Sequence, residues 1–454
     1  MSAPMVARGA RAPVAIVGAG LAGLTAAVAL RRRGVPVTLY EAGEQVSGLA
    51  ASHRDSDGYT YDMGAHFITN RLAAALGVGA RCRVVRHYGE VVRLADRDYG
   101  YPFGLARVPR FTRAALRARL RRRRDTPAES AAEWFRDEYG DALANEVALP
   151  LLEAWSGAPA TRLARAVGDK LAHGAAATMA LKTAGRLTQR AVAIGYSHEM
   201  PEGPQVWHVY PDGGVSLLCR QLADEVGDAI RLRSPVEAIV VEQGRAVAVQ
   251  AGGRVDEASA VVSTAPVFAL ARLARGTDAL QSFAAVRYRP MVFVNLRLRG
   301  RGLLSDTVVW TPEPDYPFFR LTETTRSMPW LAPPGNTLIT VDIGAEVGDA
   351  VWRMSDGELG EWCLEPLARI IPDVRARYHG CRVLRTPIAY PVYLLEYEAA
   401  RRRLGESLDI AGLHSIGRNG EFAHILMEDV YWRTQRHARR VATELAEGGV
   451  REPT

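Results

Sequence analysis

Lysine is almost missing from this chain. Lys170 and Lys182 stand alone, and arginine supplies the other 55 of the 57 basic side chains (57 − 2). Such a bias reflects genome composition more than a choice of chemistry. The net charge of +7 therefore favours anionic ligands, such as phosphates or carboxylates, without naming one. Nucleic acid is not expected as a partner, because no recognition motif accompanies the charge. Cysteine is scarce too. Cys82, Cys219, Cys363 and Cys381 stand far apart without CxxC or CxxH spacing. That argues against a zinc module or a disulfide framework, leaves no metal site to expect, and suits a reducing cytoplasm. Long apolar runs are also lacking, since no window approaches the ~20 residues that cross a bilayer. Residues 14–30 come nearest, but glycines break the run and Arg31, Arg32 and Arg33 end it, so it reads as strand, turn and helix rather than a signal peptide.

What is present is the composition of a folded protein: 48% hydrophobic and 24% charged residues, with no polar low-complexity tract. At 454 residues two or three lobes are expected, at roughly 100–200 residues each. Residues 13–17 read as a buried strand, 24–33 as a helix ending at Gly34, and 35–41 as the next strand, one complete βαβ unit. Residues 76–200 read mostly as helix. From Val206 the pattern turns to strands at 230–241, 246–250 and 260–264, with a helix at 215–226. Further strands are expected at 291–298, 307–310 and 337–343, and the chain closes with strand, glycine turn and helix over 413–447. The expected class is α/β, with a Rossmann-type lobe interleaved with a substrate lobe that combines a mixed or antiparallel sheet and a helical cap. The expected boundaries are 1–75, 206–280 and 396–454 for the nucleotide lobe, 76–205 for the cap and 281–395 for the substrate sheet. The arginine-dense residues 107–124, with Phe111, Leu116 and Leu120 near helical spacing, permit a basic amphipathic helix on a membrane surface. A solvated helix flank is the simpler reading, and peripheral membrane contact is not favoured.

The most specific motif is Gly18-Ala19-Gly20-Leu21-Ala22-Gly23, a full GxGxxG directly after an apolar strand and opening a helix. Gly18 permits the tight turn, Gly20 lets backbone approach a pyrophosphate, and Gly23 allows close helix–strand packing. The helix then offers its N–H groups and positive dipole end to the phosphates. Glu41, followed by Ala42, ends the second strand, where a carboxylate can accept hydrogen bonds from an adenosine ribose diol and repel a 2′-phosphate. The loop alone does not distinguish FAD from NAD.

The segments beyond that loop resemble the amine oxidase superfamily of flavoproteins, which includes protoporphyrinogen oxidase, phytoene desaturase and UDP-galactopyranose mutase. In that family a glycine pair soon after the ribose acid approaches FAD. Here the position reads Ser47-Gly48-Leu49-Ala50, so Ser47 is a departure. Tyr61-Asp62-Met63-Gly64-Ala65-His66-Phe67-Ile68 resembles the segment that passes the isoalloxazine ring, in the mutase version with its histidine. On the residues alone, His66 reads equally as an ordinary loop histidine. Tyr210-Pro211-Asp212-Gly213-Gly214 and Ser234-Pro235-Val236-Glu237 resemble the returning nucleotide lobe, where a residue like Val236 binds adenine through its backbone. Val262 through Pro266, with Ala265, resembles the strand end that meets the cofactor. Gly417-Arg418-Asn419-Gly420-Glu421-Phe422 and Met427-Glu428-Asp429-Val430 resemble the last FAD motif, in which a helix N-terminus faces the flavin. Glu428 stands where aspartate is more usual. No cysteine lies near Met427 or in the early flavin segment, so the resemblance implies non-covalent FAD.

Phe319-Arg320-Leu321-Thr322-Glu323 resembles the mutase stretch whose arginine binds a nucleotide-sugar diphosphate. A guanidinium suits bidentate contact with phosphate or carboxylate, and a structural ion pair, with Glu323 as the nearest acid, is the plainer alternative. Tyr390-Pro391-Val392-Tyr393 resembles the substrate-side tyrosine segment. Neither lysine falls where many amine oxidases place one near flavin N5, so that type of oxidase is less expected. The resemblance implies a flavin-dependent oxidoreductase acting on a small molecule, with an anionic or nucleotide-linked one compatible with it, and with His66, Arg320 and Tyr390 at the substrate. The alternatives are a flavin-dependent nucleotide-sugar mutase and a non-catalytic FAD-binding protein.

Overall fold

Three short apolar strands, Val14–Val17, Val37–Tyr40 and Ala260–Ser263, set the first sheet. A computed structural model describes residues 12–120, 127–171, 175–406 and 408–448; residues 121–124 of the arginine-rich stretch and the chain ends lie outside them. The described chain divides into two units, drawn from Met1–Gly48, Cys219–Ala285 and Arg402–Thr454, and from Leu49–Leu218 and Val286–Arg401. The two alternate along the sequence.

The first unit holds a five-stranded sheet in the order Ile230–Arg231, Val37–Tyr40, Val14–Val17, Ala260–Ser263, Leu413–Ser415, parallel throughout. Val14–Val17 and Ala260–Ser263 are buried at every position, as strands covered on both faces must be. The register pairs Val17 with Tyr40 and with Ser263, and Ser263 with Ser415, so four strands end level. Val14–Val17 has its immediate successor on one side and a much later strand on the other. That reversal of order is where open α/β sheets leave a crevice. The helix Leu21–Arg31, buried from Leu21 through Leu30, covers the sheet beside Met427–Gly448. A four-stranded sheet in the same unit includes the hairpin Val236–Glu242 and Arg245–Ala251, turned at Gln243 and Gly244, both at positive φ.

The second unit is built on a seven-stranded mixed sheet: Tyr378–Pro391, Tyr288–Arg299, Asn336–Gly344, Arg320–Glu323, Val308–Trp310, Glu90–Leu94, Arg97–Gly100. All neighbours are antiparallel except Val308–Trp310 with Glu90–Leu94. Strand side chains alternate between faces. One set, Val292, Val294, Leu296, Ile339, Val341 and Leu321, forms a core with Leu359, Cys363, Leu364 and Leu367 of the helix Asp356–Ala368. The other face carries Met291, Phe293, Asp342, Arg320, Trp310 and Glu90 by register. Tyr59, Tyr61, Trp155 and Tyr390 join Met291 and Phe293 in a second cluster there. The helix Ala131–Tyr139 in this unit starts at a capping box, with Glu133 N–H donating to Ser130 Oγ (3.2 Å) and Ser130 N–H to Glu133 Oε2 (3.4 Å).

Residues 76–200 are less helical than their composition suggests. Strands run at Cys82–Val84, Glu90–Leu94 and Arg97–Gly100. The last two form a hairpin whose turn residues, Ala95 and Asp96, both take positive φ. Such turns are normally signalled by Asn-Gly or Asp-Gly, and Ala-Asp is silent. Among the described residues, no helix is long and apolar enough to cross a membrane.

Candidate functional site

In the first unit, backbone alone shapes the loop after Val14–Val17. Gly18 takes φ +98°, and a Cβ there would overlap Thr264 Oγ1, which is fixed by donating to Val17 O at 2.7 Å. A Cβ on Gly23 would overlap the Gly18 carbonyl oxygen, whereas one on Gly20 would meet nothing nearer than Ser47 O at 3.9 Å. Gly20 is thus open to an approaching group. It is also the N-cap of Leu21–Arg31, and no side chain closes that helix end, leaving its dipole directed into the opening.

Glu41 bonds both ends of this loop: Oε2 accepts from Ala19 N–H and Oε1 from Gly43 N–H, each at 2.8 Å. The returning chain is tied to the same place, with Ser234 N–H donating to Glu41 O (2.8 Å) and Arg233 N–H to Gly43 O (2.9 Å). Val236 begins its strand two residues later. Ser47 donates its amide to Ala19 O (2.9 Å), and Gly48 approaches Gly20 Cα. Ser47 takes φ +109°, a conformation costly for a residue with a Cβ, so the serine has not altered the backbone that a glycine would adopt there. Burial pushes the Cys219 thiol up to about 12, with a hydrogen bond from Ser47 acting the other way. Gly417, at φ +78°, lies where a Cβ would meet Ala22 Cβ at 2.6 Å, and its amide donates to Glu421 Oε1 at 3.0 Å. Arg418 follows it in the turn, and Met427 opens a 22-residue helix whose first turn holds the buried Glu428 and Asp429 before Val430. The first unit therefore gathers Gly18, Gly20, Leu21, Ala22, Gly23, Glu41, Ala42, Gly48, Val236, Ala265, Gly417, Arg418, Met427, Glu428, Asp429 and Val430. Leu49, Gly64, Ala65, His66, Phe67, Arg320 and Tyr390 belong to the second.

In the second unit the polar face of the large sheet carries a cluster of buried and half-buried side chains. Arg320 donates from Nε to Asp342 Oδ2 at 2.9 Å and also bonds that oxygen through Nη2. Nη1 has no hydrogen-bond partner among the described residues. Asp342, not Glu323, is the ion-pair partner: it sits directly opposite Arg320 on the adjoining strand. Glu323 instead accepts from the amides of Gly302 (2.7 Å) and Leu304 (2.9 Å) and from Thr337 Oγ1 (3.0 Å). Burial opposes charge on Arg320, but Asp342, Tyr390 and Tyr88 outweigh it and raise the guanidinium pKa. Burial raises the Asp342 carboxyl, with Arg320 opposing.

Glu90 belongs to the same cluster. It accepts from Trp310 Nε1 (2.8 Å) and Tyr88 Oη (2.5 Å), and the Arg320 guanidinium lies over the Trp310 ring at 5.4 Å. Burial, then Glu90, pushes the hydroxyls of Tyr88 and Tyr196 far up, so both stay protonated and serve as hydrogen-bonding groups rather than acids. Lys182 donates to Tyr101 O at 2.7 Å; burial lowers its ammonium, and Glu90 counters. Tyr390 stacks edge-on against Trp155 at 5.1 Å. Phe67, next to His66, meets Tyr88 at 4.8 Å and His208 at 5.5 Å. Gly64 turns at φ +87° because a Cβ there would press on Phe293 at 3.0 Å. The structure thus brings Arg320, Tyr390 and the His66–Phe67 segment together with Glu90, Trp310, Asp342, Tyr88 and Tyr196, none of which the sequence reading singled out. Asp342, the lone charged residue of the strand Asn336–Gly344, was a usable signal.

A doubly wound parallel sheet interleaved in sequence with a second unit built on a largely antiparallel sheet defines a class of dinucleotide-binding fold. The chain belongs to the flavin-containing amine oxidoreductase family, whose model matches residues 21–442. A chloroplastic/chromoplastic zeta-carotene desaturase of Zea mays is 33% identical over 107 residues, covering 21% of this chain and 19% of that protein. The chain thus spans about a fifth of that relative's length. Among solved structures, a reduced UDP-galactopyranose mutase superposes with a TM-score of 0.76 at 18% identity, covering 96% of each chain. A putative protoporphyrinogen oxidase from Exiguobacterium superposes at 0.74 and 17% identity, covering 96% of this chain and 99% of its own. Those two likenesses speak to the fold. The family implies a flavin, and the residues fit one. Gly20 is open for close approach, Gly18 and Gly417 have no room for a side chain, and an uncapped helix end faces the opening.

Proposed function

We propose that this protein is an FAD-dependent oxidoreductase that removes hydride from a C–H bond of a small molecule, by oxidation or desaturation, with FAD held non-covalently. The carrying observation is the backbone cradle of residues 18–23, in a chain of a flavin-containing family. When bound, the flavin supplies a two-electron acceptor at N5. In this reading the amides at Gly20 through Gly23 hold the diphosphate. Glu41, with lone pairs left after its two amide bonds, takes the ribose hydroxyls, and Val236 lies by the adenine. Gly48, Ala265, Arg418 and the helix start from Met427 to Val430 line the rest.

In the second unit, Arg320 is held by Asp342 so that Nη1 offers its hydrogens to an anionic or carbonyl oxygen of substrate. Tyr390, Tyr196 and Trp310 offer aromatic walls, His66 borders them, and Glu90 accepts a donor from substrate. An isomerase of nucleotide sugars is the second reading, favoured by the unengaged Nη1 of Arg320, which suits a diphosphate oxygen. One experiment separates the two. Anaerobic addition of amines, carotenoid-like polyenes or nucleotide sugars to purified yellow protein is followed at the oxidised flavin band. Stoichiometric bleaching by a substrate supports the oxidoreductase. Turnover without bleaching, dependent on prior reduction, supports the isomerase and sinks the first reading. Arg320→Ala is expected to raise KM for an anionic substrate far more than it lowers flavin content; equal loss of both makes the arginine structural.

A further inference from the structure

The helix Pro109–Leu120 in the second unit has two unlike faces. Phe111 is buried with Val92, Leu94, Leu105, Val108 and Val147. Ala114 and Ala115 abut Gly140 so closely that a Cβ on that glycine would overlap their backbone. On the opposite side Arg113, Leu116, Arg117 and Leu120 follow at spacings of three and four, which makes one stripe along the helix. That stripe is turned to solvent: Leu116 is 59% and Leu120 76% exposed, and both arginines are exposed. Arg110 pairs with Glu146 at 2.7 Å, but Arg113, Arg117 and Arg119 have no acidic partner among the described residues.

We propose that this face docks on a membrane surface carrying anionic phospholipid headgroups. The arginines select the occupant by charge. Their forked guanidinium donors match phosphate oxygens, and no acid on the stripe opposes them. The leucines narrow it further. Two apolar side chains one turn apart are too few for the buried centre of a stable protein interface, which needs about 800 Å² per partner. Entry into the acyl boundary requires no preformed complementary surface. A nucleic-acid backbone would satisfy the arginines and leave the leucines in water.

Cosedimentation of the flavin-loaded, full-length protein with vesicles tests this. Phosphatidylcholine vesicles are compared with vesicles of equal parts phosphatidylcholine and phosphatidylglycerol. Binding is expected only with phosphatidylglycerol and is expected to weaken as salt is added. Arg113→Gln with Arg117→Gln should lower the partition coefficient about 25-fold, roughly fivefold per arginine. Leu116→Gln with Leu120→Gln should lower it at least tenfold. All four sites are solvent-facing, and unchanged flavin content in each variant shows that the chain has folded. Absence of sedimentation with anionic vesicles overturns the proposal. So does a leucine pair without effect while duplex DNA binds equally well, which marks indiscriminate polyanion binding. A shift from oligomer to monomer on gel filtration of the leucine variant, with vesicle binding unchanged, assigns the face to a second copy of this chain and equally overturns it.

Discussion

In the first unit the candidate ligand site is made of main chain: three glycines, a helix end and strand termini brought level by a parallel register. In the second it is made of side chains that project from one face of a largely antiparallel sheet and satisfy one another, Arg320 on Asp342, Trp310 and Tyr88 on Glu90. A backbone site tolerates almost no added atom but is indifferent to most side chains nearby. A side-chain site tolerates changes in shape but not the loss of one partner from a buried pair. On the proposed reading, the first unit holds the flavin and the second the substrate.

The largest expected effect tests the backbone half. Gly23→Ala drives a methyl into the Gly18 carbonyl and should cost on the order of 4 kcal/mol, with flavin lost from the purified protein. Gly20→Ala, whose Cβ has open space, should keep the melting temperature of flavin-free wild type and still abolish flavin retention. If Gly20→Ala keeps its flavin, the opening is not the cofactor's path.

Next, Asp342→Asn leaves Arg320 buried without a counter-charge. A loss of about 3 kcal/mol in urea unfolding is expected, with flavin per folded molecule unchanged; a parallel fall in flavin would erase the contrast between the units. Glu90→Gln should be smaller. It removes charge but retains an acceptor for Trp310, so about a tenfold change in kcat/KM, near 1.4 kcal/mol, is expected with flavin content intact. Unaltered kinetics would move the substrate elsewhere.

The smallest effect concerns pH. Burial lifts the Asp62 carboxyl to about 6 from 3.8, against the hydrogen bonds from Ser52 and Tyr210. A raised carboxyl means that the folded state holds the proton more tightly. Its stabilising contribution is therefore full below about pH 4 and is lost as pH rises through 6. The melting temperature of wild type minus that of Asp62→Asn should fall across that interval and stay level above it. A difference that does not change with pH would show that Asp62 titrates alike in the folded and unfolded chain.

Legibility followed the same divide. The nucleotide loop reads from consecutive residues because one turn of chain must provide strand end, glycines and helix start. Arg320 was legible as a residue, yet its partner was misread. Glu323 is nearest in sequence, but an odd offset of three along a strand places it on the opposite face, while Asp342 reaches Arg320 across the ladder. Glu90 was hidden because the Ala95-Asp96 turn carries no glycine and the surrounding alanine and arginine resemble helix.

The sequence by itself determined the βαβ unit, its glycine loop, the acid that ends the second strand and the membership of a flavoprotein family, since each depends on local spacing. Strand register decided the rest. Which carboxylate holds Arg320, which aromatics gather around it and which leucines face outward on Pro109–Leu120 all follow from pairings between residues distant in the chain. Those pairings are selected by burial of whole faces, and no single segment contains that information.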